Sequence, residues 1–516
     1  MVDAHRWLGG RIFTGSRYAE ALLIEDGRVV VAGSEEEVRR SSPTGVETHQ
    51  LAGHLVIPGL VDSHLHLSEL VRQREGVALD GARSIVEAGE RIAAWTVQNP
   101  HGPIFGRGWN QDELVDGRWP DRQDLDRFAP DRPAVLYRIC GHVAWTNSPA
   151  LALMGIEPET PDPPGGAIGR DSRGEPNGLL YENALPLAEP IVQSALAVDA
   201  SRLEPTVRSA VRMGLTSVAS MRADLSEIEG LRTLARAGRL PLQVRLYVGI
   251  RYLDAVERAG EIDVSVPSGS VRVIGIKAFA DGSFGGRTAL LDRPYLDAPG
   301  ISGIAVASPA QLAEVVARAR SLGLAPGIHA IGNQAIDRAL DALETVRSSS
   351  PPSRIEHASL TPPATMDRID RVRPALIVQP GFLASDWWLE DRLGPDRVRW
   401  AYAFRTFLEK GHLVAGSSDA PFDSFDPWIG IRCAVRRTDA AGRSANPIRS
   451  EGLGPETAVA LYTVNGGRAL GDESIGSLRM GARADLVVLN GGSLETILDR
   501  SVTPVAETWS GGVRVA

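Results

Sequence analysis

The chain has 516 residues, of which 43% are hydrophobic and 23% charged, and a formal net charge of -9. This length allows about two to four domains, and the composition is that of an ordinary soluble globular protein. The acidic balance, without a basic cluster, argues against a nucleic-acid partner or an anionic membrane surface.

Cysteine usage and the N-terminus bear on the cellular compartment. Cys140 and Cys433 are the only cysteines and cannot build a disulfide framework, which favours a reducing compartment. The first residues lack the apolar core of a secretory signal, and no run of about 18 apolar residues predicts a membrane span. We therefore expect a cytoplasmic protein.

Both ends of the chain are rich in predicted strands. In residues 1–55, Asp26-Gly27 separates two apolar runs and is a strong hairpin signal. In residues 471–516, strand-like runs lie at 485–489 and 507–515. We expect both ends to pair into one small β-sandwich domain.

The stretch from Val56 to His66 ends an apolar run with two histidines at positions i and i+2. On a strand this spacing places both imidazoles on one face. Pro58-Gly59 and the apolar run favour the first buried strand of a parallel barrel, with its polar end at the active-site mouth. In isolation, such a pair fits either a metal site or a polar strand edge.

The segment from His66 to about Gly214 is too long for a normal strand-to-helix connection. We interpret residues 68–205 as a cap subdomain inserted over the barrel mouth. Within it, the strand-like run at 135–139 leads to His142.

Strand-like runs then alternate with helical patterns, for example at 310–321 and 336–346. With the Val56 strand they make eight, which predicts an α/β fold with a (β/α)8 TIM-like barrel over 56–427, completed by helices in 428–470. The predicted strands after the insertion are 215–220, 242–250, 271–280, 324–330, 354–358, 375–379 and 413–416.

Barrel enzymes carry their chemistry at the C-terminal ends of the strands. Nitrogen and oxygen ligands that suit zinc lie at these ends. The candidates are His64 and His66 on the first strand, Lys277 on the fourth, His329 on the fifth, His357 on the sixth and Asp419 beyond the eighth. Lys277 is one of only two lysines in the chain, so its position at a strand end is informative.

Four stretches together resemble the metal-dependent amidohydrolase superfamily, and within it amidohydrolase family 3, the YtcJ-like hydrolases. They are Pro58 to His66, Lys277 to Ser283, Gly416 to Pro421, and the closing run Gly476 to Leu489. The resemblance extends nearly from end to end.

The resemblance implies two divalent metals per chain, most simply zinc. His64, His66 and Asp419 would hold one metal and His329 with His357 the other, bridged by an N-carboxylated Lys277, because an ammonium has no lone pair to offer. Such a centre lowers the pKa of water from about 16 toward about 7, and Asp419 would move the proton. A single-metal site with a structural or substrate-binding Lys277 remains the alternative.

Three further residues are candidate substrate contacts. His142 lies in a stretch, Gly141 to Ser148, that matches a family pattern, and it either reaches the substrate or packs within the cap. Asp281 and Arg287, near the fourth strand, are either structural or in contact with substrate. Tryptophans 109, 119, 387 and 388 either line an apolar pocket or belong to the core.

The implied function is hydrolysis of a non-peptide C–N bond in a small molecule: an amide, N-acyl, carbamate or cyclic ureide group. The same site also admits C–O hydrolysis, deamination, isomerisation or decarboxylation. A non-catalytic scaffold or regulatory protein is a rival of another class, although the complete ligand set argues against it. A homodimer is the expected assembly, as is common for enzymes of this size.

Overall fold

Our computed structural model describes residues 3–260, 269–344, 350–439, 441–446 and 448–516. Eight parallel strands, each beside its neighbour in the chain, form a nearly closed (β/α)8 barrel, which confirms the predicted fold class. The eight strands are Leu60–Leu65, Leu215–Ala223, Gln243–Gly249, Val271–Phe279, Ala325–Ala330, Arg354–His357, Ala375–Val378 and Val414–Gly416.

The seam between the first and eighth strands is bridged at the mouth of the barrel. The Asp419 amide donates to the His64 carbonyl at 2.8 Å, and the His66 amide donates to the Ala420 carbonyl at 2.8 Å. The carboxylate of Asp62 also accepts the amide of Ser418 at 3.0 Å. These bonds hold the predicted ligands of the two strands against each other.

The first barrel strand begins later than the sequence predicts. Leu55–Pro58 is a strand of the terminal domain, and the barrel strand starts at Leu60. Between them, a Cβ atom at Gly59 would collide with the side chain of Thr216, so the close approach requires glycine. The boundary between the terminal domain and the barrel therefore lies at Gly59 rather than at residue 55.

The terminal domain contains two sheets, a four-stranded one from the N-terminal end of the chain and a six-stranded one with strands from both ends. Between the sheets the rings of Trp7 and Trp509 meet edge-on, with centroids 5.1 Å apart. The four-stranded sheet contains Ala4–Leu8, Ala21–Glu25, Arg28–Gly33 and Glu47–Gln50. The six-stranded sheet contains Arg11–Phe13, Tyr18–Ala19, Leu55–Pro58, Leu486–Leu489, Val505–Ser510 and Val513–Arg514.

The insertion between the first two barrel strands has a mixed sheet and apolar cores of its own. Its strands are Val77–Ala78, Ile104–Trp109, Ala134–Arg138, Val143–Thr146, Gly166–Arg170 and Pro176–Glu182. Its helices are Ile85–Gln98, Arg122–Asp126, Ser148–Met154, Leu185–Ala188 (a 3-10 turn) and Glu189–Ala195. The flanking helices Leu67–Glu75 and Ala200–Arg212 join it to the barrel.

Helices cover the outside of the barrel, and the predicted helices at 310–321 and 336–346 are Pro309–Ser321 and Asn333–Glu344. Residues 345 and 346 lie outside the described part. The other helices are Glu35–Ser41, Leu225–Arg236, Ile250–Tyr252 (3-10), Leu253–Arg258, Pro363–Val372, Phe382–Ser385, Leu389–Leu393, Pro395–Val398, Phe404–Glu409, Pro427–Arg436, Arg449–Glu451 (3-10), Pro455–Leu461, Val464–Ala469 and Leu494–Leu498. Of the helices in the described part, none has the length and apolar character needed to cross a membrane.

Candidate metal centre

His64, His66 and Asp419 converge at the mouth of the barrel. His64 is fully buried near the end of the first strand, and Asp419 follows the eighth strand. The Oδ1 atom of Asp419 lies 3.1 Å from His64 Nε2 and 3.2 Å from His66 Nε2. This oxygen makes no conventional hydrogen bond in the described part of the chain, as expected for a buried oxygen that a cation would satisfy.

His329 and His357, at the ends of the fifth and sixth strands, extend the cluster. Their ring centroids lie 4.4 Å apart, and the ring of His357 lies 5.1 Å from that of His64. Ligand atoms of His64, His357 and Asp419 all lie within 4.8 Å of one another. His357 and Asp419 also adopt left-handed backbone conformations, with φ of 75° and 56°. Such conformations are uncommon outside glycine and concentrate at functional sites.

Lys277, at the end of the fourth strand, reaches the same point. Its Nζ atom lies 3.3 Å from His64 Nε2, and the residue is 1% exposed. Burial lowers the pKa of Lys277 to about 8, so a neutral amine is accessible near neutral pH. A neutral amine is the form that can react with carbon dioxide to give a carbamate.

Hydrogen bonds fix the orientation of three of the histidines. His64 Nδ1 lies 2.7 Å from Glu356 Oε2, and His357 Nδ1 lies 2.7 Å from Gln379 Oε1. His329 Nε2 lies 3.0 Å from the carbonyl of Gly282. Each acceptor binds one ring nitrogen as a donor and leaves the lone pair of the other free, which is the usual arrangement of metal-binding histidines.

The protonation states also suit a cation. Burial lowers the pKa of His66 to about 4 and that of His357 to about 3, and it holds the pKa of His329 well below its ordinary value. Burial opposes ionisation of Asp419, but His64 and His66 hold its pKa well below its usual range. Near neutral pH His66, His329 and His357 are therefore neutral imidazoles, and Asp419 is an ionised carboxylate.

His142 comes to the centre from the inserted subdomain. Its ring centroid lies 5.0 Å from that of His329, and its Nδ1 atom lies 2.8 Å from Glu182 Oε2. Burial opposes protonation, but the charge of Glu182 raises the pKa of His142 to about 9. His142 is therefore a cation whose Nε2–H remains available as a donor.

The cluster lies between two lobes of a cavity. The main lobe has a volume of about 840 Å³, and the small lobe one of about 150 Å³. Apolar side chains of the main lobe include Leu185, Val192 and Phe279, and Trp387 and Trp388 line the small lobe. The lobes share a wall formed by Cys140, His142, His329, His357, Asp419 and Phe422.

A family model described as "Amidohydrolase family" matches residues 47–516. The chain belongs to the amidohydrolase family. It is 36% identical to YtcJ of Bacillus subtilis (strain 168), named as an amidohydrolase, with 94% of each chain covered. It is 29% identical to the N-substituted formamide deformylase of Arthrobacter pascens, covering 92% of this chain and 90% of that protein.

A solved structure of a metal-dependent hydrolase agrees with this assignment. An uncharacterized metal-dependent hydrolase from Pyrococcus horikoshii OT3 superposes with a TM-score of 0.79 at 33% identity, over 96% of this chain and 99% of that one. The family is metal-dependent and acts on small molecules, and this amidohydrolase carries candidate metal ligands of the matching chemistry. The protein is a hydrolase.

The structure brings the six predicted ligand residues of the amidohydrolase site together, whereas two of the three predicted substrate contacts do not line the cavity. Asp281 is fully buried and accepts the backbone amides of Leu290, Ile331 and Gly332 at 2.8 to 3.0 Å. Arg287 pairs with Asp297 at 2.7 Å. Neither residue is among the described residues lining the two lobes, whereas His142 lines both.

Sequence reasoning missed the residues that support the ligands. Glu356 joins His64 to Arg354, whose guanidinium donates two hydrogen bonds of 2.8 Å to the Glu356 carboxylate. The sequence does contain a signal for Glu356. The run Arg354-Ile355-Glu356 places two opposite charges on one face of a strand that must be buried. Glu182 and Gln379 gave no comparable signal. Of the tryptophans, Trp109 and Trp119 pack in the insertion rather than along the cavity.

Proposed function

We propose that this amidohydrolase cleaves a non-peptide C–N bond of a small molecule, in an amide, N-acyl, carbamate or cyclic ureide group, at a pair of divalent metals. Zinc suits this nitrogen and oxygen ligand set best. The observation that carries the proposal is the convergence of ligand residues from five strand ends on one buried point.

In this proposal His64, His66 and Asp419 hold one metal, and His329 and His357 hold the other. Lys277, carboxylated on Nζ, would help to hold both. The metals supply Lewis acidity and a hydrolytic water acidic enough to ionise near neutral pH. The hydrogen bonds to Glu356, Gln379 and Gly282 support these roles, because they hold the rings in one orientation before any ion binds.

Asp419 is the proposed proton carrier. It is ionised, buried and next to the ligand histidines, so it accepts a proton from the attacking water and delivers it to the leaving nitrogen. The leaving amine is a poor leaving group unless protonated, which makes this transfer necessary for C–N cleavage.

His142 is the proposed donor to the carbonyl oxygen of the substrate. The Glu182 carboxylate holds its Nδ1–H and keeps the ring charged, which leaves Nε2–H for the oxygen on which negative charge develops. Because the donor is fixed beforehand by the insertion, little reorganisation is needed during the reaction.

The two lobes support a substrate with unequal parts. The reacting group would lie at the shared wall, with a small acyl group in the small lobe and the amine portion in the main lobe. The relative from Arthrobacter pascens is named an N-substituted formamide deformylase, and a formyl group is the smallest acyl group of this kind.

A substrate screen tests the proposal. Zinc-loaded protein should release benzylamine from its N-formyl, N-acetyl or N-carbamoyl derivatives, measured by primary-amine detection and product mass. Asp419→Asn is the matched control and should release amine at least roughly 10²-fold more slowly. Turnover of esters or lactones alone, or ammonia released from a ring carbon, would instead assign C–O hydrolysis or deamination.

A further inference from the structure

Arg222 has an unusual position on the second barrel strand, next to the strand that carries His64. Met221 pairs with Tyr247 and Ala223 pairs with Val248, so Arg222 is the extra residue of a β-bulge. Its φ is 62°, a left-handed conformation that favours glycine over a long side chain. Bulges re-aim side chains next to active sites, and strained backbone is retained where function requires it.

The side chain of Arg222 enters the main lobe. Its aliphatic stem passes over the backbone of Gly249, where an added Cβ would lie 3.4 Å from Arg222 Cγ. The residue lines the cavity, and its guanidinium makes no hydrogen bond or ion pair with any residue that the structure describes. An arginine carries five N–H donors, so a guanidinium that faces the cavity without a hydrogen bond has these donors free for a ligand.

The other inner charges of the main lobe are engaged. Arg72 pairs with Glu69 at 2.6 Å, and Arg251 pairs with Glu189. His142 and Glu182 form the dyad already described. Glu314 is exposed at the rim, where Arg318 pairs with Glu257. Apart from Lys277 in the metal centre, Arg222 is thus the inner cation among the described lining residues that has no ion-pair partner.

The electrostatic surroundings keep Arg222 charged. Burial opposes its charge, but Tyr252, Glu69 and Glu189 raise the pKa of Arg222. Arg222 and Lys277 both line the main lobe. A ligand that spans from Lys277 to Arg222 would remain inside the main lobe.

We propose that Arg222 binds a carboxylate on the amine portion of the substrate, which makes the substrate an N-acyl amino acid or a similar N-acylated amine with an acidic group and an apolar body. This inference rests on the proposed function. A planar guanidinium matches a carboxylate through two parallel hydrogen bonds. The apolar walls at Leu185, Val192 and Phe279 would cover the rest of the amine portion.

The test compares a matched pair of probes, N-formylphenylalanine and N-formylphenylalaninamide, each as both enantiomers, on zinc-loaded protein. Wild type should prefer the acid in kcat/KM. Arg222→Gln should raise KM for the acid by roughly 30- to 100-fold and change the amide by less than about twofold, since a charge-assisted pair is lost only with the acid. Arg222→Lys should keep part of the preference, and Arg318→Gln, at the rim, should keep all of it.

The outcomes separate this inference from the proposed function. Hydrolysis of both probes without preference for the acid, or a preference that survives in Arg222→Gln, overturns the role of Arg222 and leaves the hydrolase intact. If neither probe is cleaved, the proposed function loses support. Thermal stabilisation of the protein by N-acetylphenylalanine then tests whether Arg222 binds a carboxylate. Stabilisation of wild type that is absent in Arg222→Gln supports the anion site, and equal stabilisation of both overturns it.

A structural role for Arg222 predicts a different result. Because the bulge conformation suits glycine, Arg222→Gly should melt at the wild-type temperature or higher while losing the preference for the acid. A lower melting temperature with an unchanged preference would show that Arg222 supports the fold and not a ligand.

Discussion

The carboxylate of Asp419 has more than one chemical role in this site. In the proposed mechanism it is both a ligand and the proton carrier. Asp419→Asn keeps an oxygen ligand but cannot accept a proton, so kcat should fall by roughly 10²- to 10⁴-fold while metal content stays close to wild type. Elemental analysis and amine-release kinetics on the same sample check this, and normal turnover would remove Asp419 from the mechanism.

Glu356 acts through His64 rather than on the substrate. It is fully buried between His64 and Arg354. Glu356→Gln should weaken metal binding by about 10- to 100-fold, because the imidazole loses its charged acceptor. Glu356→Ala should in addition destabilise the fold by roughly 3 to 5 kcal/mol, since Arg354 would be left buried without a counter-charge.

Competition with a chelator and denaturant unfolding measure these two effects separately. Gln379→Glu is the contrasting variant, because it places a carboxylate beside His357. It should tighten metal binding or leave it unchanged. Equal chelator sensitivity of wild type and Glu356→Gln would show that Glu356 has no part in holding the metal.

At the scale of elements, Glu227 joins three pieces of the barrel. It lies in the first turn of helix Leu225–Arg236 and accepts hydrogen bonds from Ser68, after the first strand, and from Ser220, on the second. The residue is 1% exposed, and burial raises its pKa from 4.5 to about 7. The folded state therefore binds a proton that the unfolded state has already released in this pH range.

This raised pKa sets the sign of a pH effect on stability. The contribution of protonated Glu227 to the free energy of unfolding is fully present below pH about 4.5 and is lost as pH rises through about 7. Relative to wild type, Glu227→Gln should gain roughly 3 kcal/mol of unfolding free energy between pH 4.5 and 8, because an amide does not ionise. Denaturant unfolding of both proteins at each pH gives the difference, and parallel pH profiles would contradict it.

Individual strands and their contacts show how much of the fold and of the site the sequence alone predicts. Lys277 and His329 lie near the ends of largely apolar strands, and barrel geometry sends such strand ends to one mouth, so the sequence alone predicts their position. The boundary at Gly59 was missed because Leu55–Pro58 is as apolar as a barrel strand and suits either sheet. The bulge at Arg222 was missed because a left-handed φ leaves no pattern in the sequence. Glu356 was missed because cross-barrel contacts join strands far apart in the chain.

At the scale of the whole molecule, the terminal domain holds the start of the first barrel strand, at the end opposite the site. The Gly59 amide donates to the Asp485 carbonyl at 2.9 Å, and Thr508 Oγ1 donates to the carbonyl of Val211 at 2.7 Å. Trp509→Ala should therefore lower the unfolding free energy by about 3 to 5 kcal/mol, as for other large core deletions, while kcat and metal content stay at wild-type values.

Thermal unfolding and elemental analysis of the Trp509→Ala variant check this separation of stability from chemistry. Trp509→Phe keeps most of the packing and should lose much less stability. A Trp509→Ala protein that folds but has lost its metals would show that the terminal domain shapes the site directly.

The most direct test of the two-metal centre is the metal content per chain of protein purified without chelators, with intact mass recorded for the labile carboxyl group on Lys277. We expect close to two divalent ions per chain, falling toward one in Lys277→Ala and partly restored there by added short carboxylic acids. One ion per chain in wild type, unchanged by Lys277→Ala, would contradict the bridged pair. Protein that binds no divalent ion even after reloading would contradict the metal centre itself.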